Sequence, residues 1–247
     1  MNINNQLKKD LCSTHGIPFG QLGPIQFCSQ CILDDVGKGK ENEVLLMKPN
    51  KENDITDYKR LGIPQRHISS SFDNYAMEYT VQKDFCNQLI GYVDNFNKKL
   101  SGNLILLGRE GTGKTHLACA MLKLLWRKGI RVRYINSFDL CSIFVENWKN
   151  TNFFEKNEID NFASYDLLII DEYGLYDQKE HYKNYVDKVL LKRYDTQKPT
   201  IIISNLLKEQ FITNIGFRLW SRLNEDGLSV LEFTWCDYRI SKNINEN

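Results

Sequence analysis

The chain has 247 residues, 42% of them hydrophobic, and a formal net charge of +1. That length holds one full α/β domain with a small appendage, and the hydrophobic share is that of an ordinary globular protein. The charge balance does not mark the chain as a nucleic-acid binder by bulk electrostatics, so any such surface must be local.

The first signal in chain order is Cys12-x-x-His15, followed after twelve residues by Cys28-x-x-Cys31. Two chelating pairs at this spacing suit a closed tetrahedral Zn²⁺ site with three thiolates and one imidazole, which is structural rather than catalytic. Three free cysteines and a surface histidine is the plainer alternative. The segment has too little apolar content to fold alone, so metal would supply its stability. Residues 1–36 are thus expected to form a zinc-binding module. Residues 37–60 are polar and turn-rich, as in Gly37-Lys38-Gly39-Lys40, and read as a linker, part of which forms a short helix. The remaining residues, 61–247, make up the main domain.

That domain opens with a helical pattern over about 78–97. Leu104-Ile105-Leu106-Leu107 is an apolar strand running into Gly108-Arg109-Glu110-Gly111-Thr112-Gly113-Lys114-Thr115, and a helix follows over 116–128. Strand, G-x-x-x-x-G-K-[ST] loop and helix make a complete phosphate-binding loop. Gly108, Gly111, Thr112 and Gly113 would close backbone N–H groups around the phosphates of ATP, with the helix N-terminus adding a favourable dipole. Lys114 would reach the β- and γ-phosphates, and Thr115 would ligate Mg²⁺.

A strand over 131–136 and helices over 138–163 come next. Leu167-Leu168-Ile169-Ile170-Asp171-Glu172 is a buried strand ending in two carboxylates, which are costly there without a cation. Asp171 is placed to hold Mg²⁺, and Glu172 is the candidate general base for the attacking water. The segment from Tyr173 to Tyr185 interleaves aromatics with Lys179, His181 and Lys183, which suits single-stranded DNA; an ordinary amphipathic helix, expected across 179–195, reads the same way. The strand Thr200-Ile201-Ile202-Ile203 ends in Ser204-Asn205, where Asn205 either orients water at the ligand crevice or caps the strand. Arg218 and Arg222 share one helix face and are either solvated or fingers acting on a neighbour's ATP. A last strand is expected at 229–234. Strands alternating with helices predict a parallel sheet covered on both faces, with nucleotide at its carboxyl edge.

Outside these motifs, Lys98, Lys99, Lys123, Arg127, Lys128, Arg131 and Arg133 cluster around one helix and its exit, as a solvated helix back or a DNA patch. Cys86, Cys119, Cys141 and Cys236 are scattered; the lack of a disulfide framework suits a reducing compartment, and Cys119 reads as a small core residue. There is no signal-peptide pattern and no apolar run long enough to cross a bilayer, so the expected location is cytoplasmic.

The ordered set of motifs resembles the DnaC/IstB family of AAA+ ATPases, closest to its DnaC-type helicase loaders. The resemblance spans roughly residues 60 to 240. It is carried by Gly62-Ile63-Pro64, Ser71-Phe72-Asp73-Asn74-Tyr75, the loop, Tyr165 to Gly174, Lys198-Pro199-Thr200, Ser221-Arg222-Leu223 with Gly227, and Trp235-Cys236-Asp237-Tyr238-Arg239. It implies a parallel-sheet P-loop core and a slow ATPase stimulated by DNA or a partner. Arg222 would be an arginine finger working through self-association, Arg218 its companion, and Arg239 a sensor of the γ-phosphate. With the chain stopping at Asn247, no helical lid domain is expected. The implied partners are a hexameric replicative DNA helicase, docked by the N-terminal module, and single-stranded DNA. The zinc module is in keeping with phage- or prophage-type relatives. Alternative readings are an IstB-type transposition helper acting on duplex DNA with a transposase, and a DNA-binding adaptor in which ATP only sets conformation.

Overall fold

The computed structural model describes residues 20–22, 25–27, 53–96, 101–147, 154–175 and 180–238. Two short strands, β1 (Gly20–Leu22) and β2 (Ile25–Phe27), pair antiparallel as a hairpin. In chain terms the hairpin lies between the Cys12/His15 and Cys28/Cys31 pairs, which themselves fall outside the described residues, as do Lys98, Lys99, Lys179 and Arg239.

Helix α1 (Asn53–Arg60) falls inside the stretch read as linker, and its Tyr58 is buried in the main core. A short 3₁₀ turn (Gln65–His67) and helix α2 (Thr80–Asp94) lead into the sheet. Then β3 (Asn103–Gly108), α3 (Lys114–Arg127), β4 (Val132–Asn136), α4 (Ser137–Asn147), α5 (Glu155–Ser164) and β5 (Leu167–Asp171) follow. The chain continues through α6 (Glu180–Asp195), β6 (Thr200–Ser204), α7 (Lys208–Ile215), α8 (Phe217–Glu225) and β7 (Leu228–Phe233). No described helix is long and apolar enough to cross a membrane.

All five strands β3 to β7 are parallel, in the order β4-β5-β6-β3-β7. The loop strand β3 and the acidic strand β5 are therefore not neighbours; β6 lies between them. The central strands read as continuous apolar runs because both faces of the sheet are covered. Alternate residues still divide the work: Leu104, Leu106, Ile169, Ile201 and Ile203 pack under α2 and α3, while Ile105, Leu107, Leu168, Ile170 and Ile202 pack under α4 to α8.

Two cations serve this packing. Arg193 of α6 is wholly buried. It donates to the carbonyls of Phe162 (2.9 Å), Tyr165 (2.9 Å) and Pro199 (2.6 Å) and to Thr200 Oγ1 (2.8 Å). It thus supplies donors to carbonyls left over at the end of α5 and before β6. Burial lowers its pKa to about 9. Lys123 is the second: instead of lying on a solvated helix back, it is buried and donates to the carbonyls of Ile68 (2.9 Å) and Ser70.

Candidate active site

The three elements expected to build a nucleotide site meet at the carboxyl edge of the sheet. β3 ends in the loop 108–115, and α3 begins at Lys114 with Gly113 as its N-cap in the left-handed region (φ 90°). A Cβ at Gly113 would run into the Tyr75 ring, and one at Gly108 (φ 131°) into the backbone carbonyl of Phe233. Both positions therefore require glycine for conformation and for space. Gly111 (φ 71°) lies against the Asp237 carboxylate.

Lys114 is buried and folded along the inside of the loop, its Nζ donating to the carbonyls of Gly108 and Arg109 at 2.6 Å each. Thr112 Oγ1 donates to the Arg109 carbonyl at 2.9 Å. The loop apex is also held from outside. Tyr75 Oη and Trp235 Nε1 both donate to the Thr112 carbonyl at 2.9 Å, and Tyr238 N donates to the Gly111 carbonyl at 3.1 Å. Sequence reasoning missed this bracing: the segments holding Tyr75 and Trp235 carry the resemblance, but they are distant in the chain and nothing local joins them to Thr112. The aromatic run Phe85, Phe233 and Trp235, packed in tilted and edge contacts, fixes Trp235 in place.

Across the crevice, Asp171 gathers three donors. Thr115 Oγ1 and Tyr134 Oη each reach its Oδ2 at 2.7 Å, and the Glu172 N–H reaches Oδ1 at 2.7 Å. Tyr134 is a further residue that sequence reasoning missed; an inward position on β4 opposite Asp171's strand is its only signal. Glu172 takes a left-handed backbone (φ 58°), a costly conformation for a non-glycine residue, at the turn out of β5. Burial, and then the neighbouring Asp171 carboxylate, raise its pKa, as a general base requires. Asn205, just past β6, donates to Glu110 Oε1 at 3.1 Å, so it stands between the loop and the carboxylates.

These residues fit Mg²⁺ with a nucleotide. Thr115 and Asp171 present hard oxygen donors to one point, and such a pair with phosphate oxygens is the usual Mg²⁺ environment. Gly108, Gly111 and Gly113 all take positive φ, the glycine conformation with which a phosphate-binding loop turns its backbone around an anion.

The arginine helix α8 lies on the other side of the sheet from α3. Leu219 and Leu223 are buried, Arg218 is exposed, and the Arg222 guanidinium stands over the Tyr194 ring at 5.0 Å. Phe217, next to Arg218, is 82% exposed. Lys183 forms an ion pair with Asp187 at 2.5 Å on α6.

A histidine pair ties the segment before the core to this site. His116, one residue past Thr115, has Nε2 2.8 Å from the Ser71 carbonyl, and its ring meets those of Tyr75 and His67. Burial foremost, then the charges of Arg66, His116 and Lys123, lower the His67 pKa to about 4; burial likewise lowers that of His116. For His67 the folded pKa lies below the unfolded value of 6.5, so the unfolded chain binds more protons between pH 6.5 and 4 and stability falls as pH drops through that window. The expected loss from His67 is on the order of 1 kcal/mol after allowing for solvent screening of a partly buried ring. Melting temperatures taken from pH 7 to pH 4.5 should fall, and His67→Gln should flatten the slope; an unchanged slope would refute the assignment.

Comparison with known proteins places these features in context. A family model for IstB-like ATP binding proteins matches residues 63–218. The replicative helicase loader DnaC of Escherichia coli K12 is 28% identical over 182 residues, 74% of each chain. The replicative helicase loader DnaC of Buchnera aphidicola subsp. Schizaphis graminum is 30% identical over 181 residues, 73% of each. The crystal structure of a DnaC helicase loader superposes with a TM-score of 0.62 at 23% identity, covering 68% of this chain and 99% of that one. The fold is thus the AAA+ P-loop fold.

Proposed function

The chain belongs to the family of IstB-like ATP-binding proteins, and from that premise we propose that it is an ATP-dependent loader of a hexameric replicative DNA helicase. The observation that carries this reading is the similarity to proteins named replicative helicase loader, which extends over 74% and 73% of this chain. In the proposed mechanism, Gly108, Gly111, Thr112 and Gly113 cradle the phosphates of ATP, and Lys114 turns from the loop carbonyls to the β- and γ-phosphates. Thr115 and Asp171 hold Mg²⁺, which would neutralise charge developing on the phosphates. Glu172 accepts the proton of the attacking water, and Asn205 orients that water. Arg222 completes the site of a neighbouring copy, with Arg218 beside it and Arg239 sensing the γ-phosphate, so turnover is slow until the chain assembles.

The N-terminal module, residues 1–36, is proposed to bind Zn²⁺ through Cys12, His15, Cys28 and Cys31 and to dock the helicase. Support for the metal comes from the two chelating pairs flanking the β1–β2 hairpin. Single-stranded DNA is the proposed nucleic-acid partner. The alternative is an IstB-type transposition helper acting on duplex DNA with a transposase; the family model, described as IstB-like ATP binding protein, is compatible with both readings.

Native mass spectrometry of the chain with ATP, Mg²⁺ and its host's replicative helicase separates the two. The loader reading expects several ATP-bound copies on one helicase hexamer, each with one zinc, and deletion of residues 1–50 should abolish that complex while ATP binding persists. Self-assembly on duplex DNA with no helicase complex would overturn it in favour of the transposition helper.

A further inference from the structure

The basic cluster around α3 divides in the folded chain, and the division exposes a second site. Lys123 is spent on backbone carbonyls, Arg127 donates to Tyr58 Oη at 2.6 Å, and Lys128 pairs with Asp94 at 3.1 Å. Arg131 and Arg133 are less committed: Arg133 gives one Nη1 hydrogen bond to the Arg60 carbonyl, and Arg131 stacks on Tyr165. With Arg60 they surround a cavity of about 360 Å³, whose other walls include Trp126, Gly129 and Tyr165. The cavity opens at the amino end of β4, whereas the phosphate loop lies at the carboxyl ends of the strands. A five-residue strand separates the two levels by roughly 16 Å.

The lining has a definite chemistry. The Arg131 guanidinium lies over the Tyr165 ring at 4.8 Å, which orients it. An Arg133 Nη1 hydrogen bond to the Arg60 carbonyl anchors the second guanidinium at the same mouth. Arg60 itself is 3.6 Å from Asp57, at an exposed position where such a pair is weak. The other nearby carboxylate, Asp166, accepts from the Arg131 backbone N–H at 3.1 Å and pairs with Lys198 at 3.0 Å, so its charge is already countered. Trp126 is half-buried, held edge-on to Tyr58 with ring centroids 5.7 Å apart, and contributes to the wall. A Cβ at Gly129 would meet nothing within 4 Å, which keeps the rim open.

We propose that this cavity is a second nucleotide site, in which the base packs against Trp126 and Tyr165 and the phosphate is held by Arg131 and Arg133. Guanidinium groups beside aromatic walls are the pairing that nucleotides select: forked donors suit phosphate oxygens, and every base offers a π-face. The same chemistry serves a free nucleotide or one unit of a single strand. The inference holds independently of the loader reading, since it draws nothing from the phosphate loop.

The test uses the full chain saturated with Mg-ATP, with fluorescein-labelled dT₁₂ followed by anisotropy and dTMP by calorimetry. R131E/R133E is expected to weaken dT₁₂ binding at least ~10-fold and to flatten its salt dependence by about two contacts. Trp126→Leu should weaken it about tenfold through lost stacking. ATP affinity, read in parallel, should stay at the wild-type value, and the melting temperature should fall by no more than a few degrees, the cost of the lost Trp126–Tyr58 and Arg133–Arg60 contacts. If R133E disturbs the fold through its Arg60 contact, Arg131→Gln alone, at an exposed position, still decides the matter. Wild-type binding of dTMP that is lost in the variants identifies a free-nucleotide site; binding of dT₁₂ alone identifies a strand-binding one. Variants that keep ATP affinity and melt within a few degrees of the wild type, yet bind dT₁₂ and dTMP as it does, would overturn the proposal. A failed loader reading would show elsewhere, as a missing helicase complex.

Discussion

Lys114→Ala should lower ATP affinity by at least ~100-fold, the loss expected when charge-assisted bonds to phosphate are removed from a buried site. The ammonium is buried and rests on the Gly108 and Arg109 carbonyls at 2.6 Å. Those two acceptors hold it beside the cradle, so little rearrangement separates the resting position from a phosphate-bound one. The rival account is that Lys114 only braces the loop. The two differ in a measurable way. A brace lost on substitution lowers the melting temperature without ATP, whereas a phosphate ligand lost on substitution removes the rise in melting temperature that ATP produces. The Tyr75, Trp235 and Tyr238 contacts already hold the loop apex at Thr112 and Gly111. The variant should therefore fold with a near-normal melting temperature and show almost no ATP-dependent shift. Titration calorimetry with Mg-ATP gives the affinity directly; a Lys114→Ala chain that binds ATP within about threefold of wild type would refute the role.

What could be read from the residues follows a physical divide. The loop 108–115, the carboxylates Asp171 and Glu172 and the apolar strands around them are local patterns, and local patterns survive folding unchanged. The helix and strand limits came out close for the same reason: α3 and β4 were expected over 116–128 and 131–136 and lie at Lys114–Arg127 and Val132–Asn136. Long-range pairing was not legible. Nothing in the alternation of strands and helices says that β6 separates β3 from β5, although this order is what brings Asn205 between the loop and the acidic pair. Charge was the most misleading cue. Lys123 and Arg193 look like solvated positions on helices, yet both are buried because leftover backbone carbonyls at chain turns require donors, and a long cationic side chain can deliver several from one point. Tyr134 was invisible as a site residue because a tyrosine in an apolar strand pattern reads as core until its hydroxyl is given a partner, and Tyr75, though part of a quoted motif, has no local signal that joins it to Thr112.

Arg222→Ala is expected to lower ATP turnover of the assembled protein by about 10³-fold while leaving ATP affinity within about threefold. The reason lies in where the fold puts α8. The helix packs through Leu219 and Leu223 on the face of the sheet opposite α3, and in the proposed reading its arginines act on another copy's site. Phe217 stands 82% exposed beside Arg218, an apolar residue that a neighbouring subunit would cover. A mixing experiment separates action on a neighbour from action within the chain. Lys114→Ala chains keep the finger but lose ATP; Arg222→Ala chains keep ATP but lose the finger. Each alone should be inactive, and an equal mixture should recover a measurable fraction of wild-type turnover, because some interfaces then join an intact finger to an occupied site. A mixture no more active than its parts would place the arginine's action within its own chain or make its role structural. The structural role is small in any case. Arg222 rests on the Tyr194 ring at 5.0 Å, and Tyr194 Oη is fixed by Glu225 at 2.7 Å, a partly exposed cation–π contact worth about 0.5–1 kcal/mol. A loss of that size shifts melting by a few degrees and cannot account for a thousandfold fall in rate. The tyrosine's task in this reading is to hold the guanidinium extended before the neighbour arrives, so that less side-chain freedom is lost when the interface closes.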